Sequence, residues 1–388
     1  MSADQLEVKP ATLRPAVFRA GVGAMFFMAG LCFASWASRI ATIQQKLNLS
    51  DAALGGVLFA LPVGLMLSLP FSGWAVNKIG SRILLCVALV MYSILLISLG
   101  SVTQVYQLII CLVAFGFASN ATNIAVNTQA VATEKLYTKP IMASFHGLWS
   151  LAGFTGAGIG TFMIGKSILP MYHFMLICGI TVVVVLFCWQ YLHNDRDAHI
   201  SSGPAFIMPD KSLIKLGLIA FCSMICEGAM FDWSVIYFKK IVLAEKAWIA
   251  AGYTAFMCTM ATGRFIADWF AARFGLKRTL QISGTLTAIG LMTAVIFPTL
   301  YTAIGGFLLV GFGVSSVVPM VYSAAGKSKT MSPGAAIAAV STISFVGFLV
   351  GPPVIGFLAG AFTLRVSFTF IALMGTCVVI LATKARVE

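Results

Sequence analysis

Leu112-Val113-Ala114-Phe115-Gly116-Phe117-Ala118-Ser119 returns 197 residues later as Leu309-Val310-Gly311-Phe312-Gly313-Val314-Ser315-Ser316, with five of eight positions identical. A second correspondence runs at a shift of 195, pairing Trp74, Lys78, Gly80 and Arg82 with Trp269, Arg273, Gly275 and Lys277. A third sets Ser35-Trp36 against Asp232-Trp233. These offsets are about half of the 388 residues, so the chain reads as two homologous halves. In a hydrophobic protein such a repeat points to a solute site between the halves, near the middle of a bilayer.

Hydrophobic residues make up 60% of the chain and charged residues 10%, with a mean hydropathy of +0.97. That composition belongs in hydrocarbon rather than in a water-soluble core. About 20 apolar residues cross a bilayer, and twelve such spans are predicted. They lie near 17–42, 51–76, 82–99, 104–131, 141–165, 169–192, 213–241, 247–272, 278–297, 299–326, 333–360 and 364–383. The expected organisation is all-α: a tail (1–16), a six-helix bundle (17–192), a linker (193–212), a second six-helix bundle (213–383) and a short tail (384–388).

The formal charge of +13 would suit nucleic acid, but its distribution argues against that partner. With the N-terminus placed in the cytoplasm, 17 Lys and Arg fall on that side and six outside, while Arg39 and Arg264 sit within spans. This is the asymmetry that orients membrane bundles, so both termini are expected in the cytoplasm of a bacterial inner-membrane protein touching anionic lipid. No cleaved leader is read in the first sixteen residues. The nine cysteines are scattered, mostly singly within spans, and form no zinc or disulfide framework. Cys222 and Cys226 lie one helical turn apart, and apolar burial makes such thiols inert.

The polar stretch from His193 through Asp195, Arg196, Asp197, His199, Pro204, Pro209, Asp210 and Lys211 falls where the repeat restarts, as a linker would. Without a phosphate-binding glycine loop, ATP is not the expected energy source. No set of nucleophile, base and orienting residue is recognisable, and the chain is not read as an enzyme. The expected energy source is a proton or sodium gradient, with no cofactor and no metal, and the transporting unit is taken as a monomer.

Gly73-Trp74-Ala75-Val76-Asn77-Lys78-Ile79-Gly80-Ser81-Arg82 resembles the loop between helices two and three of the major facilitator superfamily, Gly-x3-[Asp/Asn]-[Arg/Lys]-x-Gly-x-[Arg/Lys]. The resemblance implies twelve helices in two pseudo-symmetric bundles, a polar solute moved by alternating access, and a latch at this loop. Gly73 is expected to allow close helix packing, Gly80 to turn the chain, and Lys78 and Arg82 to hold carbonyls or a carboxylate. Asn77 replaces the usual acid. The second copy carries Asp268, Trp269, Arg273, Gly275 and Lys277, and Arg264 is four residues from Asp268, close enough to pair along the helix. The same residues also serve as an orientation signal and as packing positions.

Ionisable groups within spans are costly in lipid and functional by default. Glu227 and Asp232 lie in Cys226-Glu227-Gly228-Ala229-Met230-Phe231-Asp232-Trp233 of span seven. A buried carboxyl can exchange its charge for a proton, so both are candidates for coupling. Glu227, nearer the span centre, is preferred for the coupling ion, and Asp232 for substrate or an outer gate. Arg39 is the available opposite charge, and an Arg39–Asp232 bridge would close the outer side. A structural carboxylate fixed by arginine and a snorkelling Arg39 are the plainer alternatives.

Asn120, Asn123 and Asn127 share one face of span four at i, i+3 and i+7. They either bind a polar ligand or join helices, and no partner span shows a matching amide row. His146 and Trp149 of span five, with Trp36, Trp233 and Tyr237, complete a lining suited to a neutral, hydroxyl-rich solute; interfacial anchoring is the alternative for Trp36, Trp233 and Tyr237. Gly153, Gly156, Gly158, Gly160 and Gly165, and Gly347, Gly351, Pro352, Pro353, Gly356 and Gly360, read as packing and bending positions.

Ala34–Arg39, Gly55–Phe59, His146–Leu151, Glu227-Gly228, Asp232-Trp233, Gly263–Phe265 and Gly351–Pro353 resemble a bacterial branch of the superfamily that includes the rhizopine-associated membrane protein. Rhizopines are inositol derivatives, so the resemblance implies a polyol- or sugar-like solute. The expected activity is proton-coupled movement of a sugar-, polyol- or nucleoside-like solute; the alternatives are efflux of an amphiphilic drug or lipid by proton antiport and an uncoupled facilitator. The missing Gly-Pro pair in span five and Arg in span four count against drug efflux and favour uptake.

Overall fold

The computed structural model describes residues 15–137, 141–194, 211–325, 328 and 333–384; the expected linker residues 195–210 lie outside them. Among the described residues the regular structure is helical. The elements are α1 (Pro15–Lys46), α2 (Asp51–Leu58), α3 (Ala60–Ile79), α4 (Ser81–Ser101), α5 (Val105–Glu134), α6 (Met142–Gly165), α7 (Pro170–Cys188), α8 (Lys211–Lys240), α9 (Ala251–Ile296), α10 (Leu300–Ser315), α11 (Val317–Ala325), α12 (Pro333–Ala361) and α13 (Leu364–Lys384). Two of the twelve expected spans are broken: α2 and α3 make the second pass, and α10 and α11 the tenth. Two others are joined, because α9 turns at Gly275 and makes the eighth and ninth. Eleven segments are long and apolar enough to cross a bilayer by length and composition. The remaining pass is the first part of α9, which carries Arg264 and Asp268.

The helices are apolar on their outward faces as well as inside. Val183, Leu186 and Phe187 on α7 are about two-thirds exposed, as lipid-facing side chains must be. Two bundles result, α1–α7 and α8–α13, and the packing within them shows the repeat at a single register. A Cβ on Gly116 would strike the Leu61 carbonyl, and one on Gly311 would strike the Phe256 carbonyl. Both partners differ by 195. Gly64 meets Val113 in the first bundle, and Thr259 donates to the Leu308 carbonyl at 2.7 Å in the second, again at 195. The two chain reversals also match: Gly80 has φ 83° and ψ 154°, and Gly275 has φ 75° and ψ 158°. The shift of 197 suggested by Leu112–Ser119 is therefore corrected at this helix. Gly311 and Gly313 are both small enough for a close crossing, but Gly311 takes it, while Gly313 packs on Ser283 and Thr287.

One face of the molecule carries the start of α1, the Gly80 and Gly275 reversals and the end of α13; it is called the basic face here. At the opposite, far face the bundles meet closely through α2 and α12. A Cβ on Gly55 would lie 2.8 Å from the Gly356 Cα, so these backbones touch. Further contacts run between α6 and α9 and between α1 and α8, whereas α3, which carries its span on towards the basic face, hardly meets α12. Among the described residues the bundles thus meet closely at the far face and less towards the basic face, where α6 and α9 stay in contact at Gly147 and Phe265. Pro352 and Pro353 lie inside α12, and Gly73 is not a close-packing position: nothing would meet a Cβ there.

Candidate functional site

Span seven is held by its small residues. Beside Glu227, Gly228 admits the Phe348 ring, which would lie 3.2 Å from a Cβ, and the Cys226 thiol approaches the Ile371 carbonyl at 3.5 Å. Glu227 is buried, and its Oε1 accepts from Arg264 Nη2 at 3.1 Å. Arg264 Nη1 donates to Ser150 Oγ at 2.8 Å, and the guanidinium lies over the Trp149 ring, 5.8 Å from its centre. Ser150 and Trp149 belong to α6 in the first bundle, whereas Glu227 and Arg264 belong to the second. One arginine therefore ties the bundles together at mid-depth. Gly30 of α1 fixes Trp149 from behind, since a Cβ there would lie 2.6 Å from the Trp149 carbonyl.

The sequence expectation placed Arg264 with Asp268, four residues on. Its carboxylate partner is Glu227 across the helix pair, and the Asp268 side chain lies outside the described residues. The expected Arg39–Asp232 bridge does not form either. Arg39, 2% exposed, donates from Nε to His173 Nδ1 at 3.2 Å and from Nη2 to the Ile168 carbonyl at 2.9 Å, both in its own bundle. The nearby neutral acceptors satisfy the guanidinium without crossing the interface.

Asp232 is half-buried and makes no ion pair or hydrogen bond among the described residues. Its neighbour Phe231 meets Phe33 at 5.2 Å, Trp149 at 6.3 Å, Tyr253 at 6.3 Å and Phe256 at 5.7 Å, all edge-on. This aromatic plug joins both bundles one helical turn beyond Glu227. About 13 Å further along α8, at a rise of 1.5 Å per residue, comes the far-face seal. There Lys240 pairs with Asp51 at 2.6 Å, Lys239 donates to Gln45, and Lys246 donates to Ser167 at 2.6 Å. Gln44 adds a second bond to Asp51 at 2.7 Å. These residues close the far face, the closure expected of Arg39 and Asp232. The signal was present, because Lys239, Lys240 and Lys246 are half of the six basic residues assigned outside the span ends.

On the open side, Asn123 is exposed and Asn127 half-exposed; Asn127 Nδ2 bonds Asn123 Oδ1 at 3.0 Å and its carbonyl at 2.8 Å. His146 is exposed with its ring edge towards Phe26 at 5.4 Å. Asn120 is deeper, with a buried Nδ2 that has no partner; the Trp36, Trp233 and Tyr253 polar hydrogens share that condition. Trp36 itself is buried against Phe115. Tyr237 is buried within the second bundle, donates to the Ala294 carbonyl at 2.9 Å and packs on Phe368, so its hydroxyl is not available to a solute.

At the basic loop, Asn77 and Lys78 are exposed, and Lys78 lies over Trp74 at 4.8 Å. Arg82 lies over Trp189 at 4.3 Å. Both cations stack on indoles where carbonyls or a carboxylate were expected, in keeping with Asn77 in place of the acid. Arg273 is exposed in the second copy.

The family model described as Major Facilitator Superfamily matches residues 21–252 and again 216–388. The chain is 32% identical over 350 residues to an uncharacterised MFS-type transporter of Yersinia pestis, covering 90% of this chain and 91% of that one. It is 30% identical over 362 residues to membrane protein MosC of Rhizobium meliloti, covering 92% and 87%. In three dimensions it resembles the nucleoside transporter NupG, with a TM-score of 0.73 at 14% identity over 95% of this chain and 98% of that one. A bacterial homologue of the human lysosomal transporter Spinster, inward-facing and occupied, gives a TM-score of 0.73 at 14% identity over 95% and 96%.

Proposed function

This chain belongs to the Major Facilitator Superfamily and is a transporter, and on that premise we propose that it takes up a small polar solute by proton-coupled alternating access. The Arg264 contact carries the reading: a single guanidinium binds a carboxylate of one bundle and a hydroxyl of the other, beside a half-buried indole. Protonation of Glu227 removes the anion that positions Arg264 within the second bundle, so a proton changes how Arg264 meets Ser150 of the first. The solute then binds between Trp149, His146 and the Asn120, Asn123 and Asn127 amides, on the open side of the aromatic plug.

The excess of basic residues supports an orientation with the open side and both termini in the cytoplasm of a bacterial inner membrane. In that orientation the described state faces inward. Opening outward requires the Lys240–Asp51, Lys239–Gln45 and Lys246–Ser167 contacts to part and the bundles to close beneath the site. The Gly80 and Gly275 reversals, with Lys78, Arg82 and Arg273 on their flanks, are positioned to latch that second state. Asp232, beyond the plug, is a second carboxyl through which a proton can enter from outside.

Reconstituted vesicles test this with a panel of labelled sugars, polyols and nucleosides. An inwardly directed proton gradient should drive accumulation of one class. Glu227→Gln should abolish accumulation and spare counterflow exchange. Loss of both in a folded variant would remove Glu227 from coupling, and accumulation surviving in it would do the same.

A further inference from the structure

The Arg264 fork is under-filled. It presents five N–H donors, yet Glu227 supplies one oxygen to one nitrogen, Ser150 supplies another, and the buried Nε has no partner. A carboxylate normally engages such a fork through two oxygens. When Glu227 takes up a proton, as the transport reading above requires, Arg264 keeps its charge with no anion against it among the described residues, which do not include the Asp268 side chain. The titratable or charged groups facing this pair among the described residues are His146 from α6 and Cys226 from α8 itself. Neither is an anion, and Asp232 is five residues from Glu227 along α8, about 7.5 Å in rise and about 140° around the helix. Arg39 keeps two neutral acceptors, but Arg264 is left with Ser150 alone, on the open side, where an anion can reach it.

The far face repeats the bias. Lys239, Lys240 and Lys246 all belong to the second bundle, and all three are held by residues of the first: Gln45, Asp51 and Ser167. Parting the bundles releases three ammonium groups onto one wall of the mouth. Asp51 faces them across it, and the exposed Glu245 beside Lys246 stands on their own wall, which keeps an excess of positive charge. A cleft lined by one sign of charge concentrates the opposite sign and raises its rate of entry.

We propose that the transported solute carries an anionic group, a carboxylate on a hydroxylated skeleton, which replaces Glu227 on Arg264 when Glu227 is protonated. The proton and the solute anion then enter together, and Arg264 is never left without a counter-charge. Trp149 and the asparagine amides hold the hydroxylated part, and the lysines of the outer mouth steer the anion inward. The proposal rests on the transport reading and narrows its solute class.

The test compares matched pairs on the purified full-length protein by thermal stabilisation at pH 5.5 and pH 7.5: galacturonate with galactose, glucuronate with glucose, and gluconate with glucitol, each acid against sodium chloride at equal ionic strength. An acid should stabilise where its neutral partner does not, and more so at the lower pH. Glu227→Gln should bind that acid equally at both pH values. Arg264→Lys should weaken it about tenfold, the loss of one charge-assisted bond, and Arg264→Gln should abolish it. As a variant set that leaves the fold's interior untouched, K239Q/K240Q/K246Q should slow entry of the acid and flatten its dependence on ionic strength. A neutral sugar or polyol stabilising as well as its acid, or acid binding that persists in a folded Arg264→Gln protein, would overturn the anionic proposal and leave the transport reading standing. Stabilisation by no member of any pair would count against both.

Discussion

In the proposed alternating-access cycle the far-face seal sets how the two conformations are populated, and its central ion pair gives a number to test. Lys240 and Asp51 are 2.6 Å apart, with side chains 39% and 14% exposed. Two unit charges at roughly 4 Å attract by about 4 kcal/mol at the effective dielectric of a protein surface. Lost hydration and the ordering of a lysine side chain offset most of this, and partly exposed pairs retain about 1 kcal/mol or less. Because the partners sit on different bundles, the pair exists only while the far face is closed. Its removal should therefore shift the equilibrium about fivefold towards the far-open state. Spin labels at Ala53 and Leu243, on either side of the seal, report this by pulsed electron resonance. Asp51→Asn and Lys240→Met should each raise the long-distance population about fivefold, and the swapped pair D51K/K240D should restore the short one. Salt near 1 M should reproduce part of the effect in the unmodified protein, since the Debye length there is about 3 Å. If each single change leaves the distances alone, or if the double variant equals the sum of the singles, the pair does not couple the bundles.

Three further outcomes follow from the packing. Gly356→Leu places a side chain where the Gly55 backbone lies, so it should hold the far face open, and the same spin-label pair should lose its short distance. Gly80→Ala and Gly275→Ala each force a side chain into a glycine-only backbone region; each should cost about 1–3 kcal/mol, read as lowered melting temperatures of similar size because the two reversals are equivalent. Tyr237→Phe should lower stability by about 1 kcal/mol through the freed Ala294 carbonyl while leaving solute binding intact. A binding defect without a stability defect would return Tyr237 to the solute site.

The number of passes, the repeat and the two reversals were legible because each rests on local rules: span length, a glycine with positive φ, and a recurring Trp and Lys or Arg. Pairings across helices were not. Arg264 had an acid four residues away in sequence, but helix-to-helix distance decides its partner, and Glu227 lies on the adjacent α8. Arg39 and Asp232 were opposite charges at corresponding depths, yet His173 and the Ile168 carbonyl were nearer, and hydrogen bonding to them needs no movement between bundles. Ser150 carried no signal of its own, since a serine in a helix ordinarily bonds its own backbone; its Oγ also donates to the His146 carbonyl at 3.1 Å. The shift of 197 misled for a related reason. Two glycines a residue apart make sequence likeness ambiguous, whereas the carbonyl facing one of them does not.

The site divides its chemistry unevenly between halves that share one fold. Glu227, Asp232, Arg264, Lys239, Lys240 and Lys246 all lie in the second bundle, whereas the first contributes Ser150, Trp149, His146, Gln45, Ser167 and the span-four amides, with Asp51 as its charged partner at the seal. A proton taken up by Glu227 acts on the second bundle first. A hydroxylated solute held by the amides and the indole is gripped by the first. Arg264 is where the two effects meet, because it touches both bundles through separate nitrogens. Ser150→Ala should therefore separate them: the exchange of Glu227 for the solute anion on Arg264 remains, while the tie to the first bundle is lost. Measured as the ratio of solute affinities at pH 5.5 and pH 7.5, the coupling should survive in Ser150→Ala and in Asn123→Ala, whereas the pH dependence of the Ala53–Leu243 label distance should be lost in Ser150→Ala and kept in Asn123→Ala. A ratio near one in Ser150→Ala would mean that the proton reaches the solute through the contact between bundles and not by exchange on Arg264.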